Sequence, residues 1–170
     1  KWDCDKTVEV DRVIKERYKY LMSGTLYFTK HGDPHLQQIL IAARFTGHPL
    51  PAQEIPKKYD PLTLLTPDGP INQPNAILLF VAGDQLAGQN QSEKLQVAQW
   101  FEHFNMELHP LLKEIYEQLA NEREQNKEKF DYSLKELLRE LELVNNHLKI
   151  RTFMVGDSVT VIDISLATQL

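Results

Sequence analysis

Apolar positions in this chain follow two regimes, one short and β-like, the other long and helical. Residues 6 to 21 come first. Val10, Val13, Ile14, Tyr18 and Leu21 recur at helical spacing, with Asp11, Arg12, Lys15, Glu16 and Lys19 on the opposite side. That pattern predicts an amphipathic helix. Met22-Ser23-Gly24 interrupts it, and Thr25-Leu26-Tyr27-Phe28-Thr29 is β-branched and aromatic, the composition of a short buried strand. Lys30 to Pro34 reads as a turn. Leu36, Ile39, Leu40 and Ala43 then predict a helix, for which Gly47 is a natural stop.

From Pro49 to Pro74 the pattern changes, because seven of the chain's nine prolines fall there. No helix of any length fits inside that stretch. Leu62 to Thr66 reads as a strand, Pro67-Asp68-Gly69 as a turn and Pro70-Ile71-Asn72 as a short edge strand. Pro74 suits the first turn of a helix running to about Ala82, where its missing N–H would be unpaired in any case.

Beyond the polar stretch Gly83 to Gln91 the period is helical throughout. Ser92 is a candidate cap for a helix bearing Leu95, Ala98, Trp100, Phe101, Phe104 and Leu108. Pro110 predicts a kink, after which Leu111, Leu112, Ile115 and Leu119 continue the stripe. Asn121 to Asp131 is polar, either a solvated continuation or a connection. Leu134, Leu137, Leu138, Leu141, Val144 and Leu148 define the next helix. A loop over 153 to 159 leads to a final helix opened by Thr160-Val161-Ile162-Asp163. The implied organisation is a helical extension (1–22), an abbreviated α/β subdomain (23–83) and an all-α subdomain (91–170).

Composition narrows the function classes. At 42% hydrophobic and 25% charged, the 170 residues have an ordinary globular balance. No apolar run is long enough to span a membrane, and the N-terminus lacks the layout of a signal peptide. The single cysteine, Cys4, leaves no internal disulfide framework and fits a reducing, cytoplasmic setting. A formal charge of −5 and a pI of 5.7 argue against nucleic-acid binding driven by phosphate contacts. A protein partner or a small ligand suits the balance better.

A β-α-β-β-α half followed by an all-helical half is the layout of soluble glutathione transferases, and three segments give the likeness substance. Gly24-Thr25-Leu26-Tyr27 with Leu40-Ile41-Ala42-Ala43-Arg44-Phe45-Thr46-Gly47 is the first. Asn75-Ala76-Ile77, continuing through Glu93-Lys94-Leu95-Gln96 to Gln99-Trp100-Phe101, is the second. The third and most specific is Arg151-Thr152-Phe153-Met154-Val155-Gly156 with Val159-Thr160-Val161-Ile162-Asp163. Together they resemble the glutathione-transferase-like domain of the gamma-subunit family of translation elongation factor 1. The related domain appended to valyl-tRNA synthetase is similar, so a docking domain appended to an aminoacyl-tRNA synthetase is the alternative the resemblance implies. The resemblance implies a thioredoxin-like N-terminal half, shortened here, and a helical C-terminal half that lacks the family's closing helices. It also implies a scaffold that binds the nucleotide-exchange subunits of elongation factor 1 and aminoacyl-tRNA synthetases, with a tendency to oligomerise and no cofactor.

The same resemblance directs attention to residues 73 to 75. Glutathione transferases hold the γ-glutamyl carboxylate with an acid–serine pair at a helix N-terminus, where free N–H groups and the helix dipole favour an anion. The family pattern Glu-Ser-Asn-Ala-Ile is replaced here by Gln73-Pro74-Asn75-Ala76-Ile77. The acid has become an uncharged amide. The serine has become a residue with neither hydroxyl nor N–H. No useful glutathione affinity is expected. The family's cis-proline position falls on Leu62, with Pro61 one residue early. Residues 48–61 are also too few and too proline-rich for the usual second strand plus second helix.

Three further features complete the reading. Tyr27 and Thr29 are the hydroxyls a divergent transferase could use, although β-favouring strand residues are the plainer explanation. His31, Asp33 and His35 could be imagined as metal ligands, but Gly32 and Pro34 between them favour a surface loop. Thr160 and Asp163 have the spacing of a helix capping box, each side chain satisfying the other's backbone N–H. Without closing helices, Ile162, Ile164, Leu166 and Leu170 are expected to leave apolar surface that a partner or the N-terminal helix covers.

Overall fold

The computed structural model of the chain describes residues 24–29, 33–55, 62–120 and 126–170. The amphipathic helix expected over residues 6 to 21 lies outside the described residues. Two compact units divide between Gly83 and Asp84.

In the first unit, β1 (Thr25–Phe28), β2 (Ala52–Glu54), β3 (Leu62–Thr66) and β4 (Gly69–Ile71) form one sheet in the order β2-β1-β3-β4. The β1–β2 pair is parallel and the other two pairs are antiparallel. Alternation buries Leu26 and Phe28 on β1 opposite Leu64 and Leu62 on β3. Helices α1 (Pro34–Phe45) and α2 (Pro74–Ala82) supply the rest of this core through Leu36, Ile39, Ala42, Ala43, Ile77, Leu78, Val81 and Ala82. Each such side chain taken fully from water contributes roughly 1.5–3 kcal/mol if large. Asp33 caps α1 by accepting from the His35 N–H at 2.8 Å, and Gly47 (φ 74°) follows its end in the left-handed region.

The second strand forms after all, in a proline-rich stretch that argued against it. Pro51 and Ile55 flank β2 and register it. The Leu26 N–H donates to the Pro51 carbonyl (2.8 Å), and the Ile55 N–H donates to the Phe28 carbonyl (2.8 Å). A proline lacks only the donor, so it serves well where the ladder needs an acceptor. All three β2 residues are exposed, as a sheet edge allows. Pro70 likewise sits on the opposite edge, facing Leu65 on its one paired side.

The second unit contains α3 (Gln91–His103), a π-helical turn (Phe104–Leu108), α4 (His109–Ala120), α5 (Lys127–Leu148) and α6 (Val161–Gln169). The cap of α3 is Asn90, not Ser92. Its side chain accepts from the Glu93 N–H (3.0 Å) and donates to Glu93 Oε1 (2.7 Å), while Glu93 Oε2 accepts from the Gln89 N–H (2.7 Å). Glu93 thereby fixes the end of the polar stretch that precedes α3. Leu86 is buried, and its carbonyl accepts from the Val161 N–H at 2.9 Å.

The expected break at Pro110 takes the form of the π turn that precedes it. Pro110 has no N–H to give the Met106 carbonyl, and its ring would collide with that carbonyl in a regular α-helix. The wider turn, closed by the His109 N–H donating to the Phe104 carbonyl, relieves this and keeps Phe104 and Leu108 buried. On α5 only Leu137 and Val144 of the predicted stripe are buried. Leu134 and Leu138 face solvent, Leu138 being 59% exposed. The apolar surface expected on the last helix is mostly covered as well, since Ile162 and Ile164 are buried and only Leu170 is fully open.

Candidate functional site

Residues 73 to 75 open α2. Gln73 is the N-cap residue in an extended conformation, and its carbonyl accepts the first helical bond from the Ile77 N–H (2.9 Å). Its side chain is exposed and does not cap the helix. Pro74 occupies the first helical position, Asn75 follows half-buried, and the first turn holds no acidic residue. The chemical resource of such a site is its unpaired N–H groups and a charged partner for the ligand's ammonium. Pro74 brings no N–H, and the first turn of α2 holds no carboxylate, which leaves the dipole of the helix end as its main resource for an anion.

Tyr27 lies within β1 between Gln53 of β2 and Thr63 of β3, and Thr29 follows the strand; both are half-buried. Leu62 begins β3 as a buried core residue, while Pro61 lies outside the described residues. Of the histidine–aspartate group, His31 lies outside the described residues. Asp33 is engaged as the α1 cap, and no cluster able to hold a metal occurs among the described residues.

Thr160 and Asp163 meet at the start of α6. Asp163 Oδ2 accepts from both the Thr160 N–H and the Thr160 hydroxyl, each at 2.8 Å, and Oδ1 accepts from the Met154 N–H at 2.8 Å. The hydroxyl's short bond is thus one it donates, and the carboxylate carries the larger part of the box. The carboxylate also reaches the preceding loop, which the Thr-x-x-Asp spacing alone does not indicate. Met154 is held from its other side by His147 Nε2, 2.8 Å from its carbonyl. The ring of His147 in turn meets Trp100 edge-on, with centroids 4.7 Å apart.

A second constellation had no signal in the sequence. His103 on α3 and Glu140 on α5, 37 residues apart, pair at 2.9 Å between Nε2 and Oε2. Beside them a groove of about 300 Å³ is lined by Gln99, Trp100, His103 and Leu143. The His103 ring stands edge-on to Trp100, centroids 5.7 Å apart. Elsewhere on the helices, Glu114 accepts from Lys129 Nζ (2.6 Å) and Gln118 Nε2 (2.9 Å). The Lys129 bond first, and the Gln118 bond second, hold its carboxyl below the usual range.

Residues 103–170 match the family described as glutathione S-transferase, C-terminal domain. Over 96 residues the chain is 31% identical to elongation factor 1-gamma of Rattus norvegicus and of Bos taurus, and 30% identical to that of Homo sapiens. Each of these alignments takes in 56% of this chain and 22% of the relative, so the chain spans about a fifth of their length. Among solved structures, a Pseudomonas putida glutathione transferase with one glutathione disulfide bound per subunit is 20% identical. It has a TM-score of 0.75 and covers 87% of this chain and 74% of its own. Human glutathione S-transferase T1-1 is 16% identical, with a TM-score of 0.72 over 86% of this chain and 72% of its own. The chain has a glutathione-transferase fold, its helical half matches that family's C-terminal domain, and its sequence is similar to elongation factor 1-gamma.

Proposed function

We propose that this chain is a glutathione-transferase-like subunit of the translation elongation machinery, working in the cytoplasm as a protein-interaction scaffold without transferase activity. The observation that carries the reading is the replacement of the acid–serine pair by Gln73-Pro74 in a chain whose sequence is similar to elongation factor 1-gamma. A helix start lacking both a charge and the proline N–H offers glutathione little, whereas the described residues around it keep a hydrophobic core. The partners this reading implies are the nucleotide-exchange subunits of elongation factor 1 and aminoacyl-tRNA synthetases.

Three measurements test it. Isothermal titration with glutathione should give no binding in the micromolar range, and a chlorodinitrobenzene conjugation assay should give no turnover above the uncatalysed rate. Capture with the purified exchange subunits should yield a stoichiometric complex. Micromolar glutathione affinity or measurable turnover would sink the scaffold reading.

A divergent glutathione transferase is the second reading, favoured by the fold likeness to a transferase that carries glutathione disulfide. Tyr27 or Thr29 would then supply the hydroxyl. Retention on immobilised glutathione that is lost in Tyr27→Phe or Thr29→Val would support it.

A further inference from the structure

We propose that the groove between α3 and α5 receives an arginine side chain from a protein partner. The Gln99 amide, the Trp100 and His103 rings and Leu143 line it, and the Glu140 carboxylate pairs with His103 beside it. Glu140 has only acceptors when ionised, so its 2.9 Å contact with His103 Nε2 places the ring proton on that nitrogen. In the neutral ring Nδ1 is then an acceptor. The exposed Gln99 amide offers a second acceptor oxygen. Trp100 supplies an aromatic surface of the kind that attracts guanidinium most strongly, and Leu143, 44% exposed, supplies a wall for the propyl stem.

Size and field select the occupant. A volume of about 300 Å³ lies at the bottom of the range for small-molecule sites and suits a single long side chain. Residues 84–170 contain fifteen acidic and nine basic residues, a formal charge of −6, whereas residues 1–83 contain nine and ten, a charge of +1. The acidity of the chain thus resides in the unit that holds the groove, which favours approach of a basic partner. Arginine fits better than lysine because its planar fork can address two acceptors while stacking on the indole. The groove's chemistry does not depend on the translation role, so either idea can fail without the other.

The test uses the full chain carrying Trp2→Phe, which leaves Trp100 as its sole tryptophan. The Trp100 indole resonance is followed by NMR during titration with the capped pentapeptide Gly-Gly-Arg-Gly-Gly and with its lysine and citrulline counterparts. The arginine peptide should shift the resonance saturably, the lysine peptide should bind several-fold more weakly and the citrulline peptide should produce no saturable shift. Glu140→Gln should weaken arginine binding by roughly fivefold, the equivalent of about one exposed cation–π or ion contact. Gln99→Lys and Leu143→Lys alter exposed positions, so the fold should persist, and each should abolish the shift. A citrulline response equal to arginine's, an arginine response unchanged by both lysine variants, or no saturable response would overturn the proposal.

Discussion

Replacing Asp163 by alanine removes one carboxylate and leaves three donors without their acceptor: the Met154 N–H, the Thr160 N–H and the Thr160 hydroxyl. Met154 and Thr160 are each only 1% exposed, so water cannot easily take over. A buried N–H left unpaired costs about 1–3 kcal/mol. The hydroxyl can rotate away and adds less. The losses share one site and are not additive, which puts the expected destabilisation at about 2–5 kcal/mol. Against a typical total of 5–15 kcal/mol this is a large fraction. At about 2–4 °C per kcal/mol for a chain of this size, the midpoint of thermal unfolding should fall by roughly 5–20 °C. Asp163→Asn keeps one acceptor but points an amide N–H₂ at another donor, so it should lose about half as much. Thr160→Val, which sacrifices only the hydroxyl, should cost about 1 kcal/mol. Urea titration followed by Trp100 fluorescence in the Trp2→Phe background is a suitable assay, because Trp100 rests on His147 and His147 on the Met154 carbonyl. A loss below about 1 kcal/mol for Asp163→Ala, with an unchanged slope against urea, would refute the view that this carboxylate holds the loop to the helix.

Gln38 is 1% exposed on α1, and its Nε2 has no hydrogen-bond partner among the described residues; Gln38→Met should therefore stabilise the chain by about 1 kcal/mol in urea titration, and a clear loss would contradict it. Gly156→Ala should destabilise by about 1–2 kcal/mol in the same assay, because φ is +64° and the added methyl would sit 3.0 Å from the Glu93 carboxyl carbon. Lys129→Met should raise the Glu114 pKa toward its ordinary value, read by carboxyl carbon NMR. Since the folded-state pKa is lowered, the stabilisation from this pair is present above the unfolded value and is lost as pH falls through the folded one, so the variant should show a shallower acid limb.

Much of the fold could be read from periodicity where one face is buried. The strand Leu62–Thr66, the helix from Pro74 to Ala82 and the opening of α6 at Val161 all follow from local rules of alternation, proline placement and capping. What escaped was set by partners distant in sequence. β2 exists because β1 supplies its hydrogen bonds, so no property of Ala52-Gln53-Glu54 announces it. Leu134 and Leu138 share the helical period of Leu137 and Val144 yet lie outside the buried arc, since period fixes spacing and not the width of the face that packs. At the candidate site, that Gln73-Pro74 brings neither a carboxylate nor a proline N–H to the start of α2 was legible, being a matter of which groups those residues possess. The His103–Glu140 pair and its groove were not, because they depend on how α3 and α5 are phased against each other.

Glu93 stands between two left-handed glycines, and this ties three positions into a single inherited unit. A methyl on Gly88 would lie 2.8 Å from Glu93 Cβ and 3.0 Å from the backbone at Glu93 and Lys94, so no change at position 93 makes room for it. The atoms nearest a methyl on Gly156 would be the tip of the Glu93 side chain. The two glycines should therefore behave differently over evolutionary time. Gly88 is fixed as long as the helix start is kept, whereas at Gly156 a shortened residue 93 would remove the clash and leave only the strain of φ +64°. In a lineage with residue 93 shortened, the Gln89 N–H and the Asn90 amide, which the Glu93 carboxylate now satisfies, would need a new acceptor first. The order of substitutions, and not only their identity, is constrained.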